Sequence, residues 1–388
     1  MKNKRKSIFK GMILSTLAVL ALTACNSQGK SNTSKSSGSS TKDSKVIKIA
    51  QIGPFSGNAA SFGNWDNQGI MLVVDEVNKN GGIHGKKIEV IKIDDQANPT
   101  VAVNAAQKVV NQNIVAAFAT PLSTGTLATL QVFDQAKIPQ LTAGQDTSIT
   151  TKGSKYIFRY NANSAAYTKT AADYIVNKLG KKKIAIITNS GAYGKGERDS
   201  FTKALKEFGV EPIADEVVTP DAKDFTAQLT NIKAKNPEVL YMGTENIQMG
   251  LITKQAIALG LKAQRAGGSA ADPIFVKTAG VENAEGTIFT TQYIPDADEK
   301  TKEFNEAVKA KYGIEGEFHI AKAYDGAMML VEALKNAYPN LDGETVAKEL
   351  RKLNYSGITG DYKFDETGEG TDKAQMAVIK DGKATLLQ

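Results

Sequence analysis

The chain has 388 residues, 41% hydrophobic and 23% charged, with a formal net charge of +7. The basic excess is local: residues 1–24 carry five positive charges and no acid, residues 26–45 a net three, and residues 46–388 a net −1. A near-neutral body lacks the basic footprint that nucleic acid requires, and a single cysteine excludes a disulfide framework.

The chain opens with "MKNKRKSIFK" and then "MILSTLAVLALTA", thirteen mostly apolar residues. As a helix these rise about 20 Å, short of the about 30 Å of a bilayer core. A basic head, a short apolar run and small residues at its end predict a signal peptide over residues 1–24. Leu22-Thr23-Ala24-Cys25 resembles the lipobox of bacterial lipoproteins, which implies lipidation at Cys25 and an anchor to the membrane rather than a span. Residues 26–45 are rich in Ser, Lys, Asn and Gly and read as a flexible linker. The expected location is extracytoplasmic, on the membrane of a Gram-positive cell.

From residue 46 strand-length apolar runs alternate with helical patterns. "VIKIAQI" reads as a strand, and the apolar spacing at 70, 73, 74 and 77 predicts a helix stopped by Gly81-Gly82. "KKIEVIKIDD", a helix from Pro99, "IVAAFAT", a helix from Ser123 and "KIPQLTA" follow. The series restarts with "KKKIAIITN", a helix after it, "VEPIADEVV", "DFTAQLTNIKAKN", "PEVLYMG" and a helix closed by Gly260. Two series of β-α-β units predict an α/β protein of two doubly wound parallel-sheet lobes. Three helices, over 298–312, 318–337 and 343–353, and short strands around 361–364 and 374–387 are left over. They imply that the chain crosses between the lobes more than once.

Catalytic patterns are missing. There are two histidines, His84 in a turn and His319 at a helix start, and no clustered metal ligands, no Gly-x-Ser-x-Gly and no P-loop. The glycines of "SGAYGKGE" do not fit a dinucleotide loop and read as a tight turn with a close approach. The expectation is a binding protein, not an enzyme, with no cofactor and no metal. In open parallel sheets ligands sit at the carboxyl ends of strands. Ser123 and Thr124 open a helix there, which suits either a bound anion or an ordinary N-cap.

The stretch from "IGPFSGNAASFG" through "DEVNKNGGIHGKK" to "IDDQANPTVAVNAAQKVV" resembles the opening of the leucine/isoleucine/valine-binding proteins, solute-binding subunits of ABC importers with the type I periplasmic-binding fold. "LTAGQDTSITTKG", "YIFR", "YGKG", "DFTAQL", "QAIALGL" and "GITGDYKFDETG" extend it over nearly all of 46–388. The resemblance implies three crossovers, with 46–161 and 292–357 forming one lobe and 162–291 and 358–388 the other. It implies an amino-acid ligand, branched-chain by default, a permease and ATPases as partners, and a monomer. The same fold in a ligand-sensing lipoprotein, or around another small amide or polar solute, is the alternative.

Carried over residue by residue, the resemblance places a ligand carboxylate at Ser123, its head group against Gly144, Gln145 and Asp146, and a wall at Phe62, Tyr193 and Phe318. The family's ammonium-binding acid falls at Ser269, in "AGGSAADP", and is lost. Glu245 and Asp146 are carboxylates gained nearby, so one of them is expected to meet the ammonium; Asp272 is read as the cap of a helix begun by Pro273.

Overall fold

The computed structural model describes residues 45–387. The expected signal peptide, linker and Cys25 lie outside them. The first sheet is built from β1 (Val46–Gly53), β2 (Lys87–Asp94), β3 (Ala116–Ala119), β4 (Gln140–Thr142) and β5 (Ile157–Arg159), in the order β2-β1-β3-β4-β5, all parallel. The helices between them are α1 (Ala60–Lys79), α2 (Pro99–Val110), α3 (Ser123–Ala136) and the short α4 (Ser148–Thr151). β3 is buried along its whole length because both faces of a parallel sheet are covered, whereas β2 at the edge is mixed.

A second sheet takes β6 (Ile184–Asn189), β7 (Ala214–Val218), β8 (Val239–Gly243), β9 (Gln264–Gly267) and β10 (Ile288–Thr291), then the hairpin β13 (Gln375–Lys380) and β14 (Lys383–Leu386). Its order is β14-β13-β10-β9-β8-β6-β7, and β13 joins β10 antiparallel. The hairpin turn is Asp381-Gly382, with φ of 51° and 74°, the pair of left-handed residues such a turn needs. Helices α5 (Ser164–Asp173), α6 (Ala192–Glu207), α7 (Thr226–Ala234), α8 (Asn246–Ala258), α9 (Pro273–Ala279) and α10 (Val281–Ala284) flank it. β11 (Tyr355–Ser356) and β12 (Asp361–Tyr362) form a small separate ladder.

The left-over helices are α11 (Glu299–Tyr312), α12 (Phe318–Ala337) and α13 (Gly343–Lys352). Each starts at an acidic cap: Asp298, Glu317 and Asp342 accept backbone amides of the first turn. α12 and α13 return to the first sheet, where Leu330, Leu334, Val346 and Leu350 share a core with Ile47, Ile49 and Ile70, and α11 packs Phe304 and Val308 beside Ile320 and Trp65. Gly69 permits the closest approach: a Cβ there would stand 2.3 Å from the Ile320 carbonyl oxygen, so α1 and α12 cross backbone to backbone.

The chain thus passes between the two sheets three times, and the passages are bonded to one another. The Tyr167 hydroxyl lies 2.7 Å from both Asn161 Oδ1 and Gln292 Oε1, and Gln292 Oε1 also accepts from Ala162 N at 3.1 Å. Thr359 and Tyr362 share a 2.6 Å hydroxyl contact beside Tyr160. The sequence pattern missed β5, β9 and β10, each only three or four residues long.

Candidate functional site

A cavity of about 590 Å³ opens between the carboxyl ends of the two sets of parallel strands. From the first sheet it receives the loops after β1, β2, β3 and β4; from the second, those after β6, β7, β8 and β9; α12 adds His319 and Lys322. This is where parallel sheets expose helix amino termini and unpaired amides. Helices α3, α6 and α8 begin there without a side-chain cap, whereas α2, which also begins there, is capped by Asn98. An uncapped helix start presents free N–H groups and the positive end of its dipole.

Ser123 is the first residue of α3 and is buried; its Oγ accepts from Gln145 N at 3.0 Å and Asp146 N at 3.2 Å. The hydroxyl therefore joins the start of α3 to the loop after β4. Arg159, fully buried at the end of β5, holds that loop from behind: Nη1 donates to the Gly144 carbonyl, Nη2 to the Asp146 carbonyl at 2.9 Å, and Nε to Glu369 at 3.0 Å. Gly144 is packed tight, since a Cβ would meet Ile149 Cδ1 at 2.8 Å and Ser123 Cα at 3.2 Å.

On the opposite side Glu245 stands at the N-cap of α8, with Oε2 accepting from Asn189 Nδ2. Asn189 Nδ2 also donates to Gln248 Oε1 at 3.0 Å, which fixes its amide. Burial raises the Glu245 carboxyl above its ordinary range, and the Asn189 bond opposes this. Tyr193 lies near it on α6; burial and the nearby Glu197 and Glu245 carboxyls keep its hydroxyl protonated, so it can donate. Glu197, beneath Tyr193, is pushed up to about 7 by burial and accepts from Tyr241 at 2.5 Å. Two contacts cross the cavity: Gln145 Nε2 donates to Ser269 Oγ at 2.7 Å, and Ala192 N to Thr124 Oγ1 at 3.3 Å.

Of the residues singled out in the sequence, Phe62, Ser123, Gln145, Tyr193, Glu245 and Ser269 line the cavity together. Gly144, Asp146 and Phe318 do not. The Asp146 carboxylate is taken by the amide of Ser148 at 2.7 Å, a local turn, so of the two carboxylates expected to meet the ammonium only Glu245 lines the cavity, together with Asp95 and Asp221. Phe318 packs inward, edge-on to Tyr167 with ring centres 6.4 Å apart. Its neighbour His319 faces the cavity instead, stacked on Trp65 at 5.5 Å and edge-on to Phe62 at 5.0 Å. Sequence reasoning missed Lys322 altogether; its spacing of three from His319 was the available signal. Asp272 does cap α9, accepting from Ile274 N at 2.8 Å and Phe275 N at 3.0 Å. Among the described residues no group of His, Cys, Asp and Glu is arranged to hold a metal, and no helix is long and apolar enough to cross a membrane.

The family model described as periplasmic binding protein matches residues 46–384. The Leu/Ile/Val-binding protein homolog 3 of Brucella melitensis is 30% identical over 82% of this chain and 87% of its own length. The branched-chain amino acid transporter substrate-binding protein LivJ of Streptococcus pneumoniae, solved with isoleucine, is 29% identical, with a TM-score of 0.82 over 87% of this chain and 97% of that one. The leucine-binding protein LivK of Thermotoga maritima is 28% identical, with a TM-score of 0.83 over 88% of this chain and 98% of that one.

Proposed function

We infer the function of this chain from the periplasmic binding protein family, to which it belongs over residues 46–384. It is a solute-binding component of an ABC importer that captures an amino acid of the branched-chain class between two lobes and delivers it to a permease. The carrying observation is the pairing, across one cavity, of the uncapped α3 start and Ser123 with the Glu245 carboxylate. The first suits a ligand carboxylate and the second its ammonium. Phe62, Leu122, Ile247 and Leu251 supply apolar wall for an aliphatic side chain. The relatives' names and the isoleucine bound to the streptococcal protein support this ligand class. The proposed lobes are 46–161 with 292–357 and 162–291 with 358–388.

The test is a thermal-shift titration with leucine, isoleucine and valine. A ligand at a hundredfold excess over its dissociation constant adds about 2.7 kcal/mol of stability, a readable shift. No shift with any of the three, beside a shift with another solute, replaces the ligand class. Glu245→Gln keeps the side chain's shape and removes its charge, so isoleucine affinity should fall about tenfold or more by calorimetry, in line with about 1.5–3 kcal/mol for a charged hydrogen bond. Unchanged affinity assigns the ammonium elsewhere. We further propose export by the signal peptide and anchoring through lipid on Cys25, with residues 26–45 as tether. Fatty-acid labelling should disappear in Cys25→Ser, and label that persists places the anchor elsewhere.

A further inference from the structure

At the floor of the cavity a charged cluster lies between the two sheets. Asp272, on the second-sheet side, caps α9 with Oδ1, while its Oδ2 accepts from Asn246 Nδ2 at 2.7 Å and faces His319 Nε2 at 3.8 Å. From α12 come Glu317, His319 and Lys322, and from α1 comes Asp66, whose Oδ2 accepts from the Tyr160 hydroxyl at 2.8 Å. All five side chains are buried. Their bonding is incomplete: Asp66 Oδ1, Glu317 Oε2 and both His319 nitrogens are buried without partners. Lys322 Nζ lies 5.1 Å from the centre of the Phe318 ring. Charged groups left this bare are costly where water is kept out, and here the dry place is the joint between the lobes.

We propose that closure of the lobes takes up a proton at Asp272 and Glu317, so that the protein holds its ligand more tightly as pH falls. The proposal rests on the reading of the chain as a protein that closes around a solute. With the lobes together, burial pushes the Asp272 carboxyl up to about 7 and Glu317 up to about 8, against the pull of the Lys322 charge on both. Asp66 follows, up to about 6, for the same reason. His319 is driven down by burial and by Lys322 and stays neutral. When the lobes part, water reaches Asp272 and Glu317 and returns them toward the ordinary carboxylate range. Between that range and about pH 8 the closed form binds more protons, so lowering the pH favours closure. Burial also lowers Lys322, which acts in the opposite sense and reduces the uptake, while the Asp66, Glu317 and Asp272 charges only oppose that lowering; two carboxyls gaining protons against one lysine still leave a net uptake.

Isoleucine affinity measured by calorimetry should be tighter at about pH 6.5 than at about pH 8.5, with the raised Glu245 carboxyl working against the gain at the lower value. Asp272→Asn keeps the α9 cap, since Asn caps as well as Asp, and imitates the protonated acid. It should bind tightly at both values and flatten the profile. Glu317→Gln should flatten it in part and serves if the first variant fails to fold. Trp65, the only tryptophan, stacks on His319 and reports on the joint without ligand. Its emission should titrate across the same range in the natural protein and not in Asp272→Asn. A flat profile, or an unchanged slope in Asp272→Asn, overturns the proposal. Absence of isoleucine binding at every pH beside an intact Trp65 titration counts against the ligand class and leaves the joint standing.

Discussion

Arg159→Met is expected to cost about 3–5 kcal/mol of stability in chemical denaturation, the range for breaking a buried charged pair. Arg159 is 0% exposed and serves four acceptors on two segments: the Gly144 and Asp146 carbonyls, the Thr150 hydroxyl and the Glu369 carboxylate. Methionine fills much of the volume and leaves those acceptors bare. Arg159→Lys should rescue little, because a point charge on a flexible stem cannot reach all four acceptors. Glu369→Gln should be milder, since the Glu369 side chain is 20% exposed and water can replace part of the bond. Ligand affinity should fall with the arginine even where the protein folds, because the carbonyls it holds belong to the loop whose amides meet Ser123. A loss of less than about 1 kcal/mol in Arg159→Met would show that the loop is held by other contacts.

Asp325→Ala should be the second large effect, about 3 kcal/mol or more. Asp325 sits on α12, 0% exposed, and accepts from Ile358 N at 2.9 Å, Thr359 N at 2.8 Å and Thr359 Oγ1 at 2.6 Å. The Tyr355 hydroxyl adds a fourth bond at 3.2 Å. Gly357 lets the segment lie this close: a Cβ there would stand 2.5 Å from the Asp325 carboxylate. Alanine leaves two amides and a hydroxyl buried without an acceptor. Amide hydrogen exchange at residues 357–360 should accelerate far more than exchange in β8. If both regions respond equally, Asp325 contributes to global stability alone and does not pin the third passage.

Much of this architecture was legible because long periodic segments carry their own signal. Helices α11, α12 and α13 were expected over 298–312, 318–337 and 343–353 and form within a residue of those bounds. β5, β9 and β10 were not, since three or four residues cannot display a period. At the cavity the errors have local causes. Adjacent residues on a helix point about 100° apart, so a shift of one turns Phe318 to the core and leaves the cavity to His319. Asp146 loses its expected role because a carboxylate two residues before a free amide bonds to it first. Lys322 escaped notice because a lysine within a helix reads as solvent-facing, and nothing local shows that α12 carries it to the floor of a cleft.

The bonds among the three passages have a further consequence. Were they independent ribbons, the lobes could twist, slide and splay, and a ligand would have to quench each motion on binding. Tied through Tyr167, Gln292, Thr359 and Tyr362, they bend as one strap. Relative motion is then reduced toward a single rotation that brings Gln145 to Ser269 and Thr124 to Ala192 along a fixed arc. Less disorder is lost when a solute arrives, so more of its contact energy remains as affinity.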